Sequence, residues 1–484
     1  MRKQKSLDVM SSAAETAGAG ASGAAGPDRA DAAPAGAAAS VSKGSGALPG
    51  RLWNRDFTLL WQGQFVSSLG KQAFGLAAVL WLKEATGSGT IMGFVMMAAT
   101  LPAVLLGPVA GVAVDRFDRR KIIAYTDLAG GLFVLLAALL FLLRPEATGL
   151  LIATVFAVTL ATGLLDTFSQ PSIGASLPDL VPKERLEAAN GLNMAGVQLA
   201  VFGAQGSSGI LYAILGAPLL VLWNAATYLY AGFTELFIRV PKSAAKDAER
   251  EARLAALHPF HRFRLELGEG LSFLRGHRGM RTLIVVFALL NFFISPVLVV
   301  LPFFAQDFLG LGPAWYGYLM ASYGLGSLFG YLAAGALPFR GKARELAVNG
   351  CLLAQSLLMV LCVFWKAPAA ELVLFVLIGL SGGVLNVNAI SAIQLATPPE
   401  FRGRVQALVM TACAGAMPLG MAVSGLLFDL SGKNVALMFG ASAGLTLLAT
   451  LGALAVKDYR GFLAGEEDAS QVAPPAGGAP NAGA

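Results

Sequence analysis

Charge is scarce in this 484-residue chain: Asp, Glu, Lys and Arg make up 13% of it, against 56% hydrophobic residues. A soluble domain carries about 25% charged residues. Too little polar surface exists to cover a water-soluble particle of this length, so the chain reads as an integral membrane protein. Cysteine is nearly absent too. Cys351, Cys362 and Cys413 each lie inside an apolar run, which argues against a disulfide framework and suits small core residues. The three histidines, His258, His261 and His277, share one polar segment in mid-chain. His258 and His261 have helix-face spacing, but no further ligand accompanies them, so no metal site is expected. The sequence lacks a nucleotide-binding glycine loop with its lysine, and no nucleophile neighbours a histidine. No catalytic residue, enzymatic activity or cofactor is therefore expected.

The net charge of +6 could suggest a nucleic-acid partner, but the basic residues fall between apolar segments rather than along one face. They read as topology signals instead. Apolar segments of about 20 residues, enough for a helix to cross a hydrocarbon core of about 30 Å, recur at 57–82, 90–114, 122–143, 150–168, 190–215 and 217–238. A second set follows at 282–305, 315–337, 346–365, 371–394, 405–428 and 435–456. The expected fold is therefore all-α and membrane-integral, with twelve transmembrane helices in two groups of six. Residues 51–238 form the first bundle and 282–457 the second. The Ala-, Gly- and Ser-rich segment 1–50 and the tail 458–484 are expected to be disordered. MRKQKSLDVM is basic without a following apolar core, so no cleaved signal peptide is expected. The linker 239–281 carries Phe260, Phe263, Leu267, Leu271 and Leu274 at helical spacing, as in a helix lying along the membrane surface.

The loops carry an asymmetry. Residues 115–121, then Lys183 and Arg185, then Arg340, Lys342 and Arg344, then Arg402 and Arg404 mark alternate loops. The opposite loops hold little more than Lys83, Arg144, Lys366 and Lys433. Lys and Arg are retained on the cytoplasmic side. Both termini are thus expected in the cytoplasm, in the plasma (inner) membrane of a bacterium.

The most informative stretch is GPVAGVAVDRFDRRK, residues 107–121. Gly111, Asp115, Arg116, Arg119 and Arg120 resemble the loop signature between the second and third helices of the major facilitator superfamily, with Asp118 where that family usually has glycine. The halves echo each other, VPKERLEAANG (181–191) against TPPEFRGRVQA (397–407), and GALPFRGKAR (335–344) resembles a decayed copy of the loop. Parallel six-helix repeats are the facilitator architecture. Further stretches, among them SQPSIGASLPDLVPKERLEAANGLN and NAISAIQLATPPEFRGRV, resemble the macrolide-efflux and siderophore-exporter branch, also described as transmembrane secretion effectors. That resemblance implies an exporter of small amphipathic molecules, driven by the proton gradient. It also implies a cytoplasmic gate in which Gly111, Asp115, Arg116, Arg119, Arg120 and Asp127 work against the start of the eleventh helix at Arg402 and Arg404.

Ionisable residues inside a membrane are functional candidates because each is costly there. Lys71 lies about 14 residues into its helix and reaches neither surface easily at about 1.5 Å per residue. It either attracts an anionic group of the substrate or forms a structural ion pair. Asp166 either takes up the coupled proton or binds the loop arginines. Its depth is read as differing from that of Lys71 by on the order of 10 Å, which argues against a direct pair. Asp127 has the same two readings, and Glu235 is near enough to a helix end to snorkel. Asn291 and Asn388 are candidate cavity-lining groups. The fifth helix has Gly203, Gly206 and Gly209 for close helix packing but no Gly-Pro bend. The expected partners are a small-molecule substrate, protons and the lipid bilayer, with no nucleic acid, and a monomer is the expected unit. A lipid or siderophore mover, or a non-transporting scaffold or sensor on the same fold, is the alternative.

Overall fold

The structure, a computed structural model, describes residues 52–239, 268, 272–337, 339–398 and 402–465. The 1–50 tail, most of the 239–281 linker with its expected surface helix, and the end of the chain lie outside the described residues. Among the described residues, regular structure is entirely helical.

The first half begins with α1 (Arg55–Thr86), whose first turn is capped by Asn54 accepting from the Phe57 amide, and which ends at Gly87 in the left-handed region (φ +57°). Ser88 caps α2 (Gly89–Arg116) in the same way. Asp118, the departure from the loop signature, caps α3 (Arg119–Leu143) by accepting from the Lys121 amide at 3.3 Å. The residue at that position thus serves a helix start and needs no positive φ. α4 (Thr148–Leu180) runs through Pro171 and Pro178. Leu186–Glu235 is one helical stretch broken at Gly216 (φ +71°) with Pro218 just beyond; its pieces are α5 (186–215) and α6 (217–235).

In the second half, α7 (Arg278–Phe303) runs on into a π-helical turn, Phe304–Phe308. α8 (Ala314–Ala336), α9 (Lys342–Phe364), α10 (Pro368–Ala396), α11 (Arg402–Leu430) and α12 (Val435–Ala455) follow. Among the described residues, ten segments are long and apolar enough to cross a membrane, and α5 and α8 complete twelve long helices.

Lipid tails are as apolar as Leu, so these helices associate through close packing of small residues rather than through hydrophobic exclusion. The α8–α10 pair illustrates this: a Cβ on Gly326 would sit 1.9 Å from the Val376 carbonyl, and one on Gly379 2.0 Å from that of Tyr323. Within the first half α1 lies against α5 and α6, α2 against α4, and α3 against α6 and α4.

Two expected boundaries move. The fourth helix was expected to end near residue 168, before QPSIGASLPDL; it continues to Leu180, since a transmembrane helix tolerates proline where neighbouring helices and Ser side chains satisfy the freed carbonyls. Ser172 and Ser176 hydrogen-bond to the Phe168 and Ser172 carbonyls, and Arg119 donates to that of Ala175, each within two residues of a carbonyl that Pro171 or Pro178 frees. The chain also stays folded past Val456. A short helix, α13 (Lys457–Ala464), buries Tyr459, Phe462 and Leu463 against α7 and α9, and the Tyr459 hydroxyl donates to Asn349 Oδ1 at 3.0 Å.

Candidate functional site

The first half encloses a polar cluster at mid-depth. Lys71 Nζ donates to Asp166 Oδ1 at 2.7 Å and lies 3.9 Å from Asp127 Oδ1. It also sits 4.7 Å from the centroid of the Tyr228 ring, a cation–π distance. The Gln64 amide donates to Asp127 Oδ2 at 3.3 Å and to Glu235 Oε1 at 2.7 Å. α1, α3, α4 and α6 each contribute to this set. The absence of a side chain at Gly70 lets α6 approach α1 beside Lys71: a Cβ there would meet Thr227 Oγ1 at 1.9 Å.

Exposure divides the cluster. Asp127 is 1% exposed and Glu235 0%, whereas the side chains of Lys71 and Asp166 are 18% and 34% exposed. Asp166 and Lys71 therefore form the exposed edge of a group that is otherwise enclosed.

The direct Lys71–Asp166 pair corrects the expectation that depth separates them. That expectation rested on a fourth helix ending near residue 168. With α4 continuing to Leu180, Asp166 lies about 20 Å along the helix from its end, close to the depth of Lys71. Glu235, expected to snorkel, is instead fully buried and held by Gln64. Asp127, expected with the gate, lies with this cluster. Gln64 and Tyr228 were not singled out from sequence. A polar Gln seven residues before an intramembrane Lys, two helical turns along the same face, was the available signal for Gln64.

The loop arginines bond within the first half. Arg119 Nη1 donates to Asp179 Oδ2 at 2.7 Å and to the Ala175 carbonyl at 2.8 Å, both on α4. Arg120 donates to the Leu236 carbonyl at the end of α6. Gly111 is exposed, with nothing packed where a Cβ would stand. The side chains of Asp115, Arg116, Arg402 and Arg404 lie outside the described part of the structure. Asn291 and Asn388 both donate to carbonyls of their own helices, those of Phe287 and Val384, at 2.9 Å. Asn388 is buried and Asn291 half-buried, and neither joins the Lys71 cluster.

A second constellation lies at the end of the bundle opposite the basic loop, where the halves meet. Asp429, near the C-terminal end of α11, accepts from the Ser88 hydroxyl at 2.7 Å and from the Gly89 and Thr90 amides at 2.9 Å. It caps the N-terminus of α2, where unpaired N–H groups and the helix dipole favour an anion. Lys83, at the end of α1, donates to Asp307 Oδ1 at 2.6 Å and Gln306 Oε1 at 2.9 Å in the π-helical turn. Glycines bring the backbones together around these bonds. A Cβ on Gly93 would lie 2.3 Å from the Met421 carbonyl, one on Gly425 2.2 Å from that of Gly89, and one on Gly209 2.7 Å from Ala314 Cα. Gly209 thus fulfils the close-packing role expected of the α5 glycines. Asp429 and Asp307 sit in loop-like sequence, and their partners lie hundreds of residues away, so sequence periodicity could not single them out.

Twelve long helices in two sets of six, joined by helix-to-helix contacts and including, among the described residues, ten segments long and apolar enough to cross a membrane, give the architecture of the major facilitator type. Residues 49–471 match the transmembrane secretion effector family, and the chain belongs to that family of transporters, which are not enzymes. The chain is 26% identical over 390 residues to macrolide efflux protein A of Streptococcus pyogenes, covering 79% of this chain and 91% of the relative. It is 25% identical over 370 residues to the multidrug efflux pump Tap of Mycolicibacterium fortuitum, covering 74% and 86%. Its fold is similar to that of a bacterial homologue of the iron transporter ferroportin in the inward-facing state, with a TM-score of 0.63 at 17% identity over 84% of this chain and 98% of that one.

Proposed function

We propose that this protein exports small amphipathic molecules by alternating access, coupled to proton entry, with Lys71 and Asp166 at the substrate-facing edge of the coupling site. The observation that carries this reading is the exposure of that pair. An ionised carboxylate at mid-depth, 34% exposed, is too costly to face lipid, so it faces a water-filled space between the halves. The efflux functions carried in the names of its relatives supply the direction of transport. The pairing of Lys71 with Asp166 also bears on substrate charge. A purely anionic substrate would have to displace a bonded carboxylate, so an amphipathic molecule with a weakly cationic or neutral polar group fits the edge better.

By the excess of Lys and Arg in alternate loops, the end carrying Arg119 and Arg120 is cytoplasmic. The Asp429 and Lys83 bonds then form the external gate, closed in this structure, and the cytoplasmic gate of Asp115, Arg116, Arg402 and Arg404 closes in its turn when they release.

The test is accumulation of fluorescent dyes and macrolides in cells with and without the protein, before and after the proton gradient is collapsed. Exclusion of a compound that disappears with the gradient is the expected result. Equal accumulation of every compound in all conditions would overturn the exporter reading and leave a lipid mover or scaffold.

A further inference from the structure

Within the Lys71 cluster, the carboxylate farthest from a cation is not the exposed one. Glu235 is 0% exposed, and Oε2 is a buried oxygen with no hydrogen-bond partner among the described residues. Its other oxygen takes one bond from Gln64. Around it lie Asp127, Lys71 and Asp166 in the cluster, Tyr228 beside Lys71, and Arg120 across a crevice that Glu235 shares with Ser176 and Leu180. Three carboxyl groups thus face one lysine in this set. Lys71 is already in contact with Asp166 and within 3.9 Å of Asp127, and the Arg120 guanidinium donates to the Leu236 carbonyl. Two uncompensated charges in a membrane interior cannot both persist. Asp127 Oδ1 also lacks a hydrogen bond, but it has Lys71 at 3.9 Å; Glu235 has a bare oxygen and no cation in ion-pair contact among the described residues, so it is the group that neutralises.

We infer that Glu235 binds a proton in this state and is the proton carrier of the transporter, linked through Gln64 and Asp127 to the Lys71–Asp166 edge. The assignment rests on the exporter reading for its role in a cycle, but not for the proton itself. Gln64 is the connecting group because its single amide reaches both Asp127 and Glu235. A change in the charge of Asp127, when Lys71 leaves it for another partner, is felt at Glu235 through that amide. Glu235 Oε2 is out of contact with solvent in this state, so the proton is held until the helices around it move. Arg120 is the cation on the far wall, positioned to receive the carboxylate once the proton leaves. No bond other than the O–H changes: the proton arrives from water at one side of the membrane and returns to water at the other.

The proton can be seen without any substrate. Infrared titration of the full-length protein in lipid vesicles reads the C=O stretch of protonated carboxyl groups. The wild-type spectrum minus that of Glu235→Gln is expected to show one protonated carboxyl at neutral pH, while wild type minus Asp166→Asn shows none. Glu235→Asp, which keeps the acid, is expected to shift the band rather than remove it, and Gln64→Leu to move it in the direction of a weaker hydrogen bond. A flat difference spectrum for Glu235→Gln, or a band unmoved by Glu235→Asp, overturns the assignment. Because these spectra contain no transported compound, a negative result in the accumulation test leaves their outcome intact. If instead the band is present and export is proton-driven, Glu235→Gln is expected to exchange substrate downhill yet lose at least tenfold in gradient-driven export.

Discussion

Replacing Asp429 by Asn isolates the charge in the contact between α11 and α2. The wild-type carboxylate accepts three bonds, two of them from the first amides of α2. A hydrogen bond to a charged group contributes about 1.5–3 kcal/mol net, and an anion at a helix N-terminus about 0.3–1 kcal/mol. Asn keeps one carbonyl oxygen and so retains part of this; Asp429 is also half-buried rather than enclosed, which reduces the electrostatic share. The expected loss is therefore about 1–2 kcal/mol, a factor of about 5–30 in the equilibrium between joined and separated ends. Hydrogen–deuterium exchange reads this directly, because the Gly89 and Thr90 amides are the ones Asp429 protects. Exchange in the peptide covering 83–95 should rise by about that factor, and Ser88→Ala, which removes one donor, should raise it less. The control is Glu146→Gln. That residue pairs with Arg144 at 3.9 Å with both side chains about two-thirds exposed, and such pairs contribute about 0–1 kcal/mol. If exchange at 83–95 is the same in Asp429→Asn as in wild type, the bonds do not hold the halves together and the gate assignment fails.

Three further outcomes follow from the packing. Gly326→Ala should lower the melting temperature in detergent, because its Cβ would stand 1.9 Å from the Val376 carbonyl and overpacking costs about 1–3 kcal/mol. Lys71→Met should destabilise by about 3–5 kcal/mol by leaving buried carboxylates without their cation, whereas Lys71→Met with Asp166→Leu should recover much of that stability and still export nothing; normal dye export by the double variant would show the pair to be structural only. Tyr459→Phe should cost about 1 kcal/mol through the lost bond to Asn349, and Tyr459→Ala about 3–5 kcal/mol through the cavity left under α13, both read from thermal unfolding.

Hydropathy carried the architecture well, since a membrane span is a property of about 20 consecutive residues and needs no knowledge of partners. The same local character explains the errors. Pro171 and Pro178 look like helix breakers in isolation, and shortening α4 there displaced Asp166 and hid its bond to Lys71. Tyr459, Phe462 and Leu463 follow a charged residue in a short, mixed segment, so a tail was the natural expectation, and only their burial against α7 and α9 makes it a helix. Lys71, Asp127 and Asp166 could be recognised as costly one by one. That Gln64 joins Asp127 to Glu235 depends on how α1, α3 and α6 are rotated about their axes, which one sequence does not fix.

The α2–α11 pair also bears on the gate whose side chains lie outside the description. Gly89 meets Phe428 and Gly425, Gly93 meets Met421, and Gly415 meets Val104, so the two helices run antiparallel. Beyond Val104 and Gly415 the antiparallel run takes α2 towards its end at Arg116 and α11 towards its start at Arg402. Asp429, near the C-terminal end of α11, caps the N-terminus of α2 in this structure; a matching cap is predicted at the other end in the opposite state, Asp115 on the N-terminus of α11. Two such caps at opposite ends of one antiparallel pair suit a rocking motion, because closing one end levers the other apart. On this reasoning Asp115→Asn weakens the closed cytoplasmic gate by the same about 1–2 kcal/mol that Asp429→Asn removes from the external one, and the two substitutions push the resting equilibrium in opposite directions. Exchange at 83–95 should rise in Asp429→Asn, fall below wild type in Asp115→Asn and return towards wild type in the double variant, while export falls in each single variant at normal membrane abundance. Normal export by Asp115→Asn, or additive increases in exchange in the double variant, would show that the two ends are not coupled through α2.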